Sequence, residues 1–200
     1  RRARRVLSFS LPNSFIGMAT ARLPILAIDA VVAPIIAAAF LSATRLCLSP
    51  LNFILYAFRI IGLIEYNAKR RGQINSFIPL FIAITALSPV ILLPMVFPSV
   101  LEYFLNYLEP SWLDVLPFLP IIYPWAVAFL ISGWLDRIFD ASNQQHLIFR
   151  IEVLMFFVTL ALSLLIWAGT VNGSSVFWMV SALGTVHGLL WYAVFVRCEF

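Results

Sequence analysis

Four ionisable side chains lie inside long apolar stretches of the sequence, namely Asp29, Arg59, Glu152 and His187. An ionisable group within a membrane-spanning segment is costly, so each one indicates either a packing interaction or a functional site. Carboxylates, an imidazole and a guanidinium at similar depth can hold a charged solute or pass a proton along a polar path. We therefore interpret these residues as one candidate intramembrane polar cluster.

Asp29 and Arg59 belong to consecutive apolar stretches that a short link would join as antiparallel neighbouring helices. An ion pair is the least costly way to keep both charges inside lipid, so the sequence predicts that they pair. Such a pair either fixes two helices or belongs to a polar path. In a third interpretation, Arg59 extends its guanidinium to the inner membrane interface.

Glu152 either faces His187 or lies at the level of the inner headgroups. His187 stands between Gly184 and Gly188, and small residues at this spacing allow two helices to approach closely. We interpret His187 first as a packing residue, with a proton carrier and a haem ligand as alternatives. The other histidine, His146, belongs at the membrane surface, so a haem could only be shared with another chain.

Paired carboxylates supply a weak metal candidate, Asp136 and Asp140, whose spacing of four can place them on one helix face. Acidic pairs at the inner surface could hold a divalent cation in a lipid-modifying enzyme. The sequence contains no nucleophile elbow, zinc-protease, Walker or dinucleotide-binding motif. We assign no catalytic residue and no cofactor, although bound lipid is expected.

Composition indicates what must surround these residues. The chain has 200 residues, of which 62% are hydrophobic and 11% charged, whereas soluble domains average about 45–50% apolar and about 25% charged residues. This excess predicts an integral membrane protein with lipid as a partner. The formal net charge of +4 comes from basic residues scattered at the ends of apolar stretches, a pattern that argues against nucleic-acid binding.

The order of apolar stretches predicts an all-α polytopic bundle of about six transmembrane helices. Residues 1–22 form a basic arm and an interfacial segment, and residues 23–200 form the transmembrane domain. The predicted spans are 23–44, 51–66, 77–97, 115–134, 147–168 and 176–196. The first two spans could instead form a re-entrant hairpin. With the N-terminus inside, nearly all Lys and Arg residues outside the spans fall on the inner side, as the positive-inside rule requires.

The leading interpretation is a structural or accessory subunit of a larger membrane complex, because the chain has little mass outside the membrane and lacks catalytic motifs. A small transporter or channel that uses the polar cluster is the alternative, and a lipid-modifying enzyme is the second. The Arg-rich start resembles either the edge of an organelle targeting segment or a bacterial cytoplasmic anchor. The expected location is therefore a bacterial or a mitochondrial inner membrane.

Overall fold

The computed structural model describes residues 2–72, 97–108, 110–142, 144–171 and 173–198, and every regular element in these ranges is helical. The prediction of an all-α fold is thereby confirmed. The helices are α1 (Arg2–Val31), α2 (Pro34–Arg70), α3 (Pro98–Leu108), α4 (Leu119–Ser132), α5 (Asp136–Ala141), α6 (Gln145–Trp167) and α7 (Gly173–Arg197). A segment with 3₁₀ hydrogen bonding, Pro110–Phe118, precedes α4.

Within the described ranges, four stretches are long and apolar enough to cross a membrane, as expected of an integral membrane protein. They are Pro34–Arg70, Trp112–Ala141, Gln145–Trp167 and Gly173–Arg197. The last three contain or closely match the predicted spans 115–134, 147–168 and 176–196. The predicted span 77–97 lies outside the described residues apart from Phe97.

The first two helices meet at a different place from the one that the sequence predicts. Ala33 has extended backbone with φ −54° and ψ 134°, and Pro34 begins α2. A residue before proline avoids helical backbone, whereas proline itself is favoured at the first position of a helix. Residues 45–50, predicted to link two spans, are helical instead. The predicted division into spans 23–44 and 51–66 is therefore wrong, and a hairpin turning at this link is excluded too.

The helix α2 is long, with 37 residues and Pro50 in its interior. Transmembrane helices tolerate an internal proline because neighbouring groups can satisfy the carbonyl that it leaves free. At 1.5 Å per residue α2 measures about 55 Å, more than the roughly 30 Å of a hydrocarbon core, so part of it projects beyond the core. It ends in a turn at Gly72, whose φ of 71° suits glycine.

The N-terminal region is also continuous. Residues 2–31 form the single helix α1, so the structure places no break at residue 22, where the predicted interfacial segment ends. This helix packs mainly along α6. The candidate interfacial segment therefore lies against the bundle, at the position where it covers part of the site described below.

Helices α4 and α7 pack closely against each other. A Cβ atom on Gly184 would overlap the indole ring of Trp125, and one on Gly188 would come within 2.9 Å of the carbonyl oxygen of Ala128. The hydroxyl group of Ser181 adds a hydrogen bond to the carbonyl of Ile121. The close helix approach predicted from the two glycines is confirmed.

Candidate functional site

Glu152 on α6 and His187 on α7 form a direct hydrogen bond, with 2.7 Å between His187 Nε2 and Glu152 Oε1. The two helices are consecutive, and each residue lies about four helical turns from the connection between them. Antiparallel neighbours of this kind bring residues at equal distance from the turn to the same level. Of the two alternatives for Glu152, the structure therefore supports the one in which it faces His187, and not the one in which it lies at the level of the headgroups.

Trp191 completes this contact, although the sequence analysis did not include it in the site. Its indole Nε1 lies 3.2 Å from Glu152 Oε1 and 3.1 Å from His187 Nε2. A spacing of four places Trp191 one helical turn after His187 on the same face of α7, and this spacing was the signal that could have identified it. His187 Nε2 and Trp191 Nε1 thus both contact one carboxylate oxygen.

The other oxygen of this carboxylate is buried and lacks a hydrogen-bond partner among the described residues. Glu152 as a whole is only 4% exposed. On α1, Gly17 lies directly above it, and a Cβ atom at residue 17 would be 3.7 Å from Oε2. A buried carboxylate oxygen without a donor is costly, so it indicates a place where a ligand or a proton can bind.

A cavity of about 390 Å³ adjoins this carboxylate. This volume lies in the range of small-molecule sites, which are mostly apolar with a few convergent polar groups. Five helices contribute to the wall, and Asn13, Thr20, Thr44 and Thr159 add polar groups to it. The full lining is Asn13, Gly17, Thr20, Ala21, Pro24, Ile25, Phe40, Leu41, Thr44, Trp125, Glu152, Met155, Thr159, Val180, Leu183, Gly184 and His187.

Arg59 belongs to a different contact. Its Nε donates to the carbonyl of Gly133 over 2.9 Å and lies 3.2 Å from Asp136 Oδ1. Gly133 caps the C-terminus of α4, and Asp136 begins α5. A cation at a helix C-terminus and an anion at an N-terminus both suit the helix dipoles, so Arg59 stabilises the break between α4 and α5.

The predicted pairing of Asp29 with Arg59 is wrong. Both residues are described, and Asp29 is exposed near the end of α1 while Arg59 contacts Asp136. The physical reason is the position of the break between α1 and α2. Because the chain turns at 32–33, Asp29 lies near the start of α2, and Arg59 lies roughly 37 Å further along that helix.

Metal and haem candidates gain no support from the described contacts. Asp136 Oδ1 also accepts from the backbone N–H of Arg137, and Asp140 Oδ1 accepts from Gln145 Nε2 over 3.1 Å. Among the described residues, no group of three or more His, Cys, Asp or Glu side chains is placed to hold a metal ion. His146 is exposed in the first turn of α6, apart from the cavity lining.

The fold and the cavity together define a class, a helical integral membrane protein in which a buried glutamate contacts a partly exposed histidine beside a cavity. Comparisons of this chain with protein-family models, with curated proteins and with solved structures found no match. The geometry of the site is therefore the basis for a functional proposal.

Proposed function

We propose that this protein is a membrane transporter and that its solute passes through the cavity between α1, α2, α4, α6 and α7. The observation that carries the proposal is the free, buried carboxylate oxygen of Glu152 at the wall of a cavity large enough for a small molecule. A protein that only supported other subunits would not need such a group, because filling the space with apolar side chains costs less.

The polar path of this transporter contains fewer residues than the sequence predicts. Glu152 and His187 lie at the cavity, whereas Asp29 and Arg59 do not line it. An imidazole and a carboxylate in direct contact can hold one proton between them or none. Solute recognition therefore centres on α6 and α7, with α1 and α2 closing the opposite wall.

The test is flux through purified protein in liposomes. Proteoliposomes are incubated with a small-metabolite extract, and the accumulated compounds are identified by mass spectrometry. Ala21 lines the cavity from an exposed position on α1, so Ala21→Trp should fill it and abolish most of the uptake. Ala30 is exposed on the same helix away from the lining, and Ala30→Trp is the matched control that should leave uptake unchanged. Equal uptake by both variants would contradict the proposal.

An accessory or structural subunit of a larger complex is the second candidate. It is favoured by Asn52 and Tyr56, which lie one helical turn apart on α2 and are both exposed. Polar side chains on the outer face of a spanning helix are costly in lipid, and they often bond to a neighbouring helix. A partner membrane subunit would supply that neighbour. The same flux assay separates the candidates, because a pure subunit carries no uptake of its own.

Two further expectations belong with these proposals. We propose membrane lipids as partners around the outer faces, and a bacterial or mitochondrial inner membrane as the location, supported by the Arg-rich start of the chain. No observation on the described residues favours the lipid-modifying enzyme, since Asp136 and Asp140 each bond to neighbouring protein groups.

A further inference from the structure

We infer that the cavity takes a lipophilic organic cation and that the cation exchanges for one proton held by Glu152 and His187. The inference rests on the proposed transport function and deepens it by naming the class of solute and the coupling ion. It depends on three observations, which are the free oxygen of Glu152, the charge balance of the pair and the apolar wall.

The free oxygen gives the cation its anchor. Oε1 of Glu152 already contacts His187 Nε2 and Trp191 Nε1, whereas Oε2 has no partner among the described residues. A Cβ atom at Gly17 would lie 3.7 Å from Oε2, and Gly17 and Glu152 both line the cavity, so this oxygen lies at the cavity wall. A positively charged group placed there meets a carboxylate lone pair that nothing else uses.

Charge balance at Glu152 and His187 explains why a cation and a proton would compete for this site. Glu152 is 4% exposed, and an isolated buried charge is too costly to persist. With one proton, the Glu152–His187 pair is neutral overall, as either carboxylic acid and imidazole or carboxylate and imidazolium, and the proton belongs to the pair rather than to one residue. Without that proton the pair carries one negative charge, which a bound cation would neutralise. One cation therefore enters as one proton leaves for water, and total charge is conserved.

Other charged groups do not disturb this balance. His187 is the only titratable group besides Glu152 among the described residues that line the cavity. Where the side chains of the surrounding helices are described, the other acidic, basic and histidine residues are Arg22 and Asp29 on α1, Arg45, Arg59, Glu65, Lys69 and Arg70 on α2, His146 and Arg150 on α6, and Arg197 on α7. None of these lines the cavity, and α4 contributes Trp125, which carries no charge.

The apolar wall of the cavity favours a solute whose uncharged part is apolar. Ile25, Phe40, Met155 and Leu183 are among the apolar residues of this wall, together with Trp125. Aromatic faces attract cations in addition to apolar groups. A hydrated inorganic ion would lose its water without replacement here, whereas an organic cation with a large apolar body would bury that body against the wall.

Ethidium tests the inference, because it is an aromatic cation with a permanent charge and cannot itself release a proton. Its binding to the full chain in detergent is followed by fluorescence anisotropy between pH 5 and 9. The dissociation constant should fall by up to about tenfold for each unit rise in pH until the pair has lost its proton, because one proton competes with one cation. When ethidium dissociates, the protein should take up one proton from an unbuffered solution for each ethidium released.

Glu152→Gln keeps a side-chain oxygen near His187 and Trp191 but removes the charge. It should weaken ethidium binding at least about tenfold at pH 8. Glu65→Gln is the matched control, since Glu65 on α2 also has a buried oxygen without a partner but lies outside the cavity. The neutral probe N-phenyl-1-naphthylamine should bind wild type and Glu152→Gln equally, which shows that the variant is folded.

Ethidium binding that ignores pH, or that Glu152→Gln leaves intact, would overturn the inference. So would a failure of ethidium to bind wild-type protein that still binds the neutral probe. These results are separate from the flux assay with Ala21→Trp. If uptake of another solute depends on Ala21 but ethidium does not bind, the cavity transports and the solute class is wrong.

Discussion

Two acid–base contacts in this protein are similar in chemistry and differ in their surroundings. The Glu152–His187 contact lies beside the cavity, and the glutamate side chain is 6% exposed and the histidine side chain 29%. The Arg59–Asp136 contact lies at the break between α4 and α5, and its side chains are 27% and 34% exposed. Each contact joins two helices, but only the first contains a buried oxygen that lacks a partner among the described residues.

This difference distinguishes the candidate binding site at Glu152 from the contact between Arg59 and Asp136, which we call the structural clamp. Arg59 and Asp136 satisfy groups at two helix ends, so that contact has a complete structural explanation. Glu152 contacts His187 and Trp191 through Oε1, and Oε2 at the cavity wall can still accept a hydrogen bond. Because Glu152 is buried, water screens its charge only weakly. A change in its protonation therefore has a large effect on the electrostatic energy.

The largest effect should follow from breaking the buried contact. His187→Leu removes the partner of a carboxylate that remains buried, and we expect it to reduce the free energy of unfolding by about 3 kcal/mol at pH 7. Denaturation with increasing SDS in mixed micelles measures this loss. The double variant Glu152→Gln, His187→Leu should recover much of it, since the stranded charge is gone. A single variant as stable as wild type would mean that the contact is not buried as the structure shows.

The clamp should be far less sensitive. Arg59→Met removes an ion pair that is partly exposed, and such pairs contribute about 1 kcal/mol or less. We expect a loss of that size in the same denaturation assay, and unchanged ethidium binding and uptake, because Arg59 does not line the cavity. If Arg59→Met abolished uptake while the protein stayed folded, the contact would belong to the transport path and the contrast between the two contacts would fail.

Much of the fold could be predicted from the sequence because lipid requires long apolar helices. The stretches around α4, α6 and α7 are uninterrupted enough that hydropathy alone located them. The break between α1 and α2 was misplaced because two signals compete in that region. Pro34 and Pro50 both interrupt the apolar run, and only backbone packing decides that Pro34 starts a helix while Pro50 is absorbed within one.

Two of the four predicted site residues, Glu152 and His187, line the cavity, and Asp29 and Arg59 do not. Depth along a helix follows from residue spacing, which is why a contact between Glu152 and His187 was one of the two alternatives for Glu152. Asp29 was assigned to the wrong level because its depth depended on the misplaced break. The cavity itself leaves no sequence signal, since it forms where α1 and α2 meet α6 and α7 across long distances in the chain.

The most direct measurement of the central claim is chemical blocking of the cavity during transport. On a background of Cys47→Ala and Cys198→Ser, Ala21→Cys and Ala30→Cys are each alkylated with a methanethiosulfonate reagent in proteoliposomes, and modification is verified by intact mass. Blocking at residue 21 should remove most of the uptake, whereas the same adduct at residue 30 should leave it in place. Complete modification at residue 21 with undiminished uptake would contradict a solute path through this cavity.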